Sequence, residues 1–136
     1  MEWMLRGIVV DYAGVLTDVD GPRLLDVLDT ARDQGVRTAL LSNAAGGGAV
    51  RRRLAGWFDT LVFSGEVGVA KPSEEVFRLT ADRLGVPVST CVVVDDSAVN
   101  VAGAVAAGMV GVHHTSMADT LAELGALFPG IVSENA

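Results

Sequence analysis

Four places in the sequence hold residue types that could do chemistry together: Asp11, Ser42-Asn43, Lys71 and Asp95-Asp96. A carboxylate at the tip of a strand can act as a nucleophile or bind a metal. Two adjacent aspartates repel one another unless a cation lies beside them. Ligands that are all oxygen suit Mg²⁺, which keeps several waters and borrows only a few carboxylates. A serine hydroxyl with nearby backbone N–H groups can hold phosphoryl oxygens. Lys71, the sole lysine among 10 basic residues, supplies a point charge for developing negative charge. The set describes transfer of a phosphoryl group, or a close analogue, to a carboxylate with a metal's help.

Such groups need elements that bring them to one place. Strand-length apolar runs occur at 7–10, 36–41, 60–63, 91–94 and 109–113. Helical patterns lie between and after them, at 22–34, 49–55, 74–84, 99–107 and 117–127. Pro22 suits a first helical position, Ser73 a cap, and Gly85-Val86-Pro87 a stop. Residues 66–72 read as a loop. Strand and helix in alternation predict an α/β fold with a parallel sheet. The Val/Leu-rich strands lack polar alternation, as expected when helices cover both faces. In open parallel sheets ligands bind at the carboxyl ends of the strands. Asp11, Ser42 and the aspartate pair each follow a strand, so they converge on one rim.

The 136 residues, half of them hydrophobic, fit a single domain over 1–136 with an ample core. A net charge of −7 argues against broad nucleic-acid binding. The single cysteine, Cys91, excludes an internal disulfide and a cysteine-based zinc site. It is expected to pack in the sheet. No leader-like or membrane-length segment stands out, which predicts a soluble cytoplasmic protein without a membrane partner.

The motifs resemble those of the haloacid dehalogenase-like (HAD) hydrolase superfamily over nearly the whole chain. The matching segments are Val10-Asp11-Tyr12-Ala13-Gly14-Val15-Leu16-Thr17, Leu40-Leu41-Ser42-Asn43, Ser64-Gly65-Glu66-Val67-Gly68-Val69-Ala70-Lys71-Pro72 and Val93-Val94-Asp95-Asp96-Ser97-Ala98-Val99-Asn100. The last two, in that order, are the most specific. The resemblance, nearest to subfamily IA, implies a three-layer Rossmann-like core with a five-stranded parallel sheet flanked by helices. It implies Asp11 as nucleophile, with Lys71, Ser42 and Asn43 on the transferred group. It also implies Mg²⁺ at Asp11, Asp95, Asp96 and the backbone carbonyl of Ala13.

Two departures from the family pattern shape the expectation. Position 13 usually carries a second aspartate that protonates the leaving group and then activates water; Ala13 does neither. General acid–base help is worth about 10²–10⁴-fold, so alkyl phosphates should be poor substrates. Good leaving groups, such as acyl or aryl phosphates, need that help least. Second, only residues 16–21 separate the first strand from its helix, where many relatives insert a cap. A capless, open site suits a large or macromolecular substrate, or a small one enclosed by another copy in a homo-oligomer. The alternative is a phosphatase-deficient domain that binds metal, phosphate or a protein partner as a regulatory module.

Related chemistries fit less well. Phosphonoacetaldehyde hydrolases share alanine at the position of Ala13 but need a cap lysine, and Lys71 is already committed. The 2-haloacid dehalogenases use neither metal nor an aspartate pair. Response-regulator receiver domains place their acidic pair first and their lysine last, the reverse of the order here. Elsewhere bland roles are expected. Asn100 holds the Asp95-Asp96 loop, Arg51-Arg52-Arg53 form a solvated helix face, and Gly46-Gly47-Gly48 form a mobile loop. His113-His114 lack zinc-type partners, and Trp3 and Trp57 pack.

Overall fold

The computed structural model describes residues 4–46 and 48–132; Trp3 and Gly47 lie outside the described residues. Five strands form one parallel sheet: β1 (Gly7–Val10), β2 (Arg37–Ser42), β3 (Thr60–Phe63), β4 (Cys91–Asp95) and β5 (Val110–His113). Their order is β3-β2-β1-β4-β5, with β1 central between β2 and β4. Helices α1 (Gly21–Asp33), α2 (Gly48–Leu54), α3 (Ser64–Val67), α4 (Glu74–Leu84), α5 (Ala98–Ala107) and α6 (Met117–Leu127) connect and cover them. Among the described residues, no helix is long and apolar enough to cross a membrane.

Alternation along each strand sends side chains into two separate cores. Ile8, Val10, Leu40, Val92 and Val94 pack beneath α1 and α6 with Leu24, Leu28, Leu121 and Leu124. Val9, Ala39, Leu41 and Val93 pack on the other face with Val76, Phe77 and Leu84 of α4 and Ala104 of α5. Helices cover both faces, so the strand interiors are largely apolar and most polar residues, among them Arg37, Ser42, Thr60, Asp95 and His113, fall at strand ends. Each fully buried Leu or Phe contributes about 1.5–3 kcal/mol over exposure, so the two cores hold the sheet rim in place. Cys91 is fully buried in the second core, and burial pushes its thiol up to about 11.

The expected three-layer α/β architecture is present, and most boundaries agree within a residue or two. Helix ends follow local chemistry. Ser73, Ser97 and Ser116 accept backbone N–H bonds at the starts of α4, α5 and α6. Two differences matter for the rim. Strand β4 continues through Asp95, which pairs with His113 of β5 instead of leaving the sheet after Val94. Part of the expected loop over 66–72 belongs to the one-turn helix α3, which carries the chain from β3 toward Lys71.

Candidate active site

Asp11 leaves β1 still bound to the sheet, its N–H donating to the Val94 carbonyl at 3.0 Å. The chain then makes a tight turn over Tyr12–Leu16, with extended backbone at Ala13 and left-handed backbone at Gly14 (φ 82°). Thr17 closes this turn by accepting the Gly14 N–H at 2.9 Å. A Cβ at Gly14 would lie 2.1 Å from an Asp96 carboxylate oxygen. Only glycine permits both this conformation and this approach, which lays the turn against the aspartate pair.

The two aspartates of the pair occupy unlike environments. Asp95 is fully buried, and its oxygens are engaged by the Ser97 N–H at 2.9 Å, Lys71 Nζ at 2.7 Å and Asn100 Nδ2 at 3.3 Å. Asn100 therefore holds the loop, as expected. Asp96 is exposed on the rim beside Gly14. One carboxylate oxygen from each of Asp11, Asp95 and Asp96 lies within 4.8 Å of the others.

Lys71 reaches this cluster from the segment between α3 and α4. Its ammonium donates to Asp11 at 2.8 Å, Asp95 at 2.7 Å and the Leu41 carbonyl at 2.9 Å, which uses all three of its protons. The residue is 6% exposed. Its backbone is fixed by Asn43: the Lys71 N–H donates to Oδ1 and Nδ2 donates to the Lys71 carbonyl, each at 3.0 Å. Asn43, expected among the phosphate-binding residues, thus spends most of its amide on positioning the lysine. Gly103 of α5 takes part as well, since a Cβ there would lie 2.2 Å from the Pro72 carbonyl oxygen. Nothing in the residue pattern marks Gly103; only the close approach of helix and loop reveals it. Ser42 ends β2 on the same rim, nearly buried.

Burial raises the Asp11 carboxyl to about 6; hydrogen bonding and charge from Lys71 oppose this, and the Asp95 charge adds to it. Three carboxylates around one ammonium leave two negative charges unbalanced when all are ionised. An all-oxygen donor set with that surplus fits a hard divalent cation such as Mg²⁺.

Other sequence features resolve into packing. His114 is buried between Thr120 Oγ1 at 2.6 Å and Asp18 at 3.2 Å, tying the segment after the turn to α6. His113 Nε2 lies 3.0 Å from the Asp96 carbonyl. Neither histidine joins the acidic cluster. The Arg51-Arg52-Arg53 run departs from a plain solvated face. Arg51 pairs with Glu66 and lies over the Phe63 ring, while Arg53 donates to the Tyr12 hydroxyl. A cleft of about 400 Å³ between α1 and the start of β2 is lined by the Arg32–Asp59 ion pair together with Asp29, Asp33 and Arg37.

The same order of motifs and strands recurs in known proteins. The sequence profile of haloacid dehalogenase-like hydrolases matches residues 5–108. A CBBY-like protein of Arabidopsis thaliana is 37% identical over 94 residues, 65% of this chain; the aligned part is 30% of that relative's length. An uncharacterized protein from Corynebacterium glutamicum ATCC 13032 Kitasato superposes with a TM-score of 0.86 at 46% identity, covering 91% of this chain and 95% of that one. A HAD family enzyme from Bacteroides thetaiotaomicron, solved with magnesium and inorganic phosphate, shares the fold at a TM-score of 0.62 and 14% identity, covering 85% and 98%. With its aspartate, serine, lysine and paired-aspartate motifs on one sheet rim, this chain belongs to the haloacid dehalogenase-like hydrolases.

Proposed function

We propose that the chain is a Mg²⁺-dependent phosphatase-like hydrolase acting through an aspartyl intermediate at Asp11. The observation that carries this reading is the convergence of Asp11, Asp95 and Asp96 within 4.8 Å around the buried ammonium of Lys71. Asp11, Asp95, Asp96 and the Ala13 carbonyl would hold Mg²⁺, which when bound supplies positive charge for the phosphoryl oxygens. Magnesium and phosphate together in the Bacteroides relative support this assignment.

Asp11 is the nucleophile. Its Oδ1 accepts from the buried Lys71 ammonium at 2.8 Å at the carboxyl end of β1. Its oxygen forms a bond to phosphorus while the bond to the leaving oxygen breaks. Lys71 and Ser42 meet the charge that builds on the phosphoryl oxygens, and Lys71 does so without moving because its neighbours already fix it. Asn43 keeps the lysine in register, with one amide hydrogen left for substrate. Ala13 offers no proton to the leaving oxygen, so the reaction selects compounds whose leaving group departs readily as an anion. We read this chain as a cytoplasmic core with no cap between β1 and α1. Its open site suits a large substrate or completion by a second copy.

Turnover of a phosphate panel with Mg²⁺ by the native chain, Ala13→Asp and Asp11→Asn tests this reading. Ala13 is exposed and in extended backbone (φ −68°, ψ 130°), so an aspartate fits there without strain. Ala13→Asp should raise alkyl-phosphate turnover by about 10²-fold or more, the usual worth of a positioned acid. Asp11→Asn should abolish activity. Zero native turnover on every phosphate, alongside an active Ala13→Asp, would favour the phosphatase-deficient binding module instead.

A further inference from the structure

We propose that the pocket beside the nucleophile turn receives the apolar acid released from an acyl phosphate, with Arg53 as the partner of its carboxylate. The proposal rests on the phosphoryl-transfer reading above and names its substrate class. The pocket encloses about 260 Å³ between the turn, α1 and α2, and Tyr12, Leu16, Leu25, Leu54 and Trp57 form its apolar walls. Tyr12, which walls the pocket, directly follows Asp11 in the chain, so the pocket borders the nucleophile turn.

Arg53 also lines this pocket. Its guanidinium lies 6.0 Å from the Tyr12 ring centroid and donates to the Tyr12 hydroxyl. That bond uses one of five N–H donors. Among the described residues no carboxylate pairs with Arg53; the same holds for Arg6, Arg23, Arg37, Arg52 and Arg83, but of these Arg53 is the one that lines this pocket. An unpaired arginine over an apolar pocket is complementary to an anion on an apolar body. A planar carboxylate is the group a guanidinium fork holds best.

The chemistry at position 13 points the same way. Asp11 forms an O–P bond as the bond between phosphorus and the acyl oxygen breaks. The electron pair stays on the acyl oxygen, which leaves as a carboxylate and takes no proton. Water then adds to phosphorus, the Asp11 oxygen leaves with its electron pair, and the water's proton passes to solvent. No step before hydrolysis calls for the acid that Ala13 lacks. The released product is the kind of anion the pocket is built to meet.

Benzoate serves as the probe, with the Trp57 indole N–H resonance (assigned through Trp3→Phe) as the readout. Benzoate should shift that resonance saturably, and benzyl alcohol, which has no charge, should bind at least tenfold more weakly. Arg53→Gln should weaken benzoate binding at least tenfold. It should also raise KM for benzoyl phosphate by more than it lowers kcat. Equal binding of benzoate and benzyl alcohol by the native chain, or of benzoate by the native and Arg53→Gln chains, overturns the proposal. Acetyl phosphate, too small to fill the pocket, reports the Asp11 chemistry separately. Its turnover without benzoate binding removes the pocket alone. Benzoate binding through Arg53 without turnover of any phosphate removes the hydrolase reading and leaves the pocket standing.

Discussion

Replacing Lys71 by methionine keeps an unbranched side chain of comparable length but removes the one positive charge in the cluster. The fully buried Asp95 would keep only the Ser97 N–H and Asn100 amide bonds, and Asp11 would lose its ion pair. Removing one partner of a buried pair typically costs about 3–5 kcal/mol, because the remaining charge is stranded. The Asp11 side chain keeps 12% of its exposure, so water softens part of the loss. We expect about 3 kcal/mol by urea unfolding in EDTA at pH 8, a large share of the roughly 5–15 kcal/mol of a typical domain. The loss should depend on pH. The Asp11 carboxyl lies at about 6 in the folded chain against an ordinary 3.8 for a free aspartate. A raised acid contributes stability that is full below the unfolded value and lost as pH rises through the folded one. Without Lys71 the folded value of Asp11 rises further, so the deficit against the native chain should widen from pH 5 to pH 8. A deficit under about 1 kcal/mol, or one equal at both pH values, would refute the view that Lys71 neutralises this cluster.

Two further substitutions separate neighbouring roles. Asp96→Asn should leave metal-free stability within about 0.5 kcal/mol, as for exposed positions generally, while reducing the rise in Tm that Mg²⁺ produces. Asp95→Asn should cost about 1–3 kcal/mol without metal, because Lys71 then keeps a buried charge with a single carboxylate; equal unfolding curves for the two variants would contradict the division. Gly103→Ala places a Cβ 2.2 Å from the Pro72 carbonyl oxygen, backbone that cannot swing aside. It should cost about 1–3 kcal/mol and shift the Asn43 and Lys71 amide resonances; unchanged resonances would show that α5 does not position the lysine.

The fold was legible because each strand is a short, mainly apolar run that ends at or beside a polar or turn-forming residue. Helices such as α4 and α6 carry both an apolar face and a serine cap. The rim was legible for a related reason. Asp11, Ser42 and the aspartate pair each sit at the carboxyl end of a strand, and a parallel sheet leaves those ends on one edge. Less visible was how each group is held there. Asp95 looks like half of an equivalent pair, yet it ends inside β4 with its oxygens occupied while Asp96 faces outward. That difference arises from the pairing of Asp95 with His113, a long-range contact with no local pattern. Asn43 carries donors and acceptors that suit a phosphoryl group equally well. Its commitment to the Lys71 backbone depends on where a loop 28 residues away returns.

These positioning contacts also explain why a single lysine suffices and why arginine would be a poor exchange. Around Lys71 Nζ the three acceptors lie 2.7–2.9 Å away, on two carboxylates and the end of β2, and one tetrahedral ammonium satisfies all three. A guanidinium spreads its donors over a flat fork and is bulkier than the 6% exposed niche. It could match one carboxylate well only by releasing the other or the Leu41 carbonyl. The other nine basic residues are all arginine, and three of them meet flat or exposed partners: Arg53 a phenol, Arg51 an aromatic ring and a carboxylate, Arg32 a carbonyl and a carboxylate. Those partners suit a planar cation, whereas at Lys71 three oxygens converge on a single atom, which suits an ammonium.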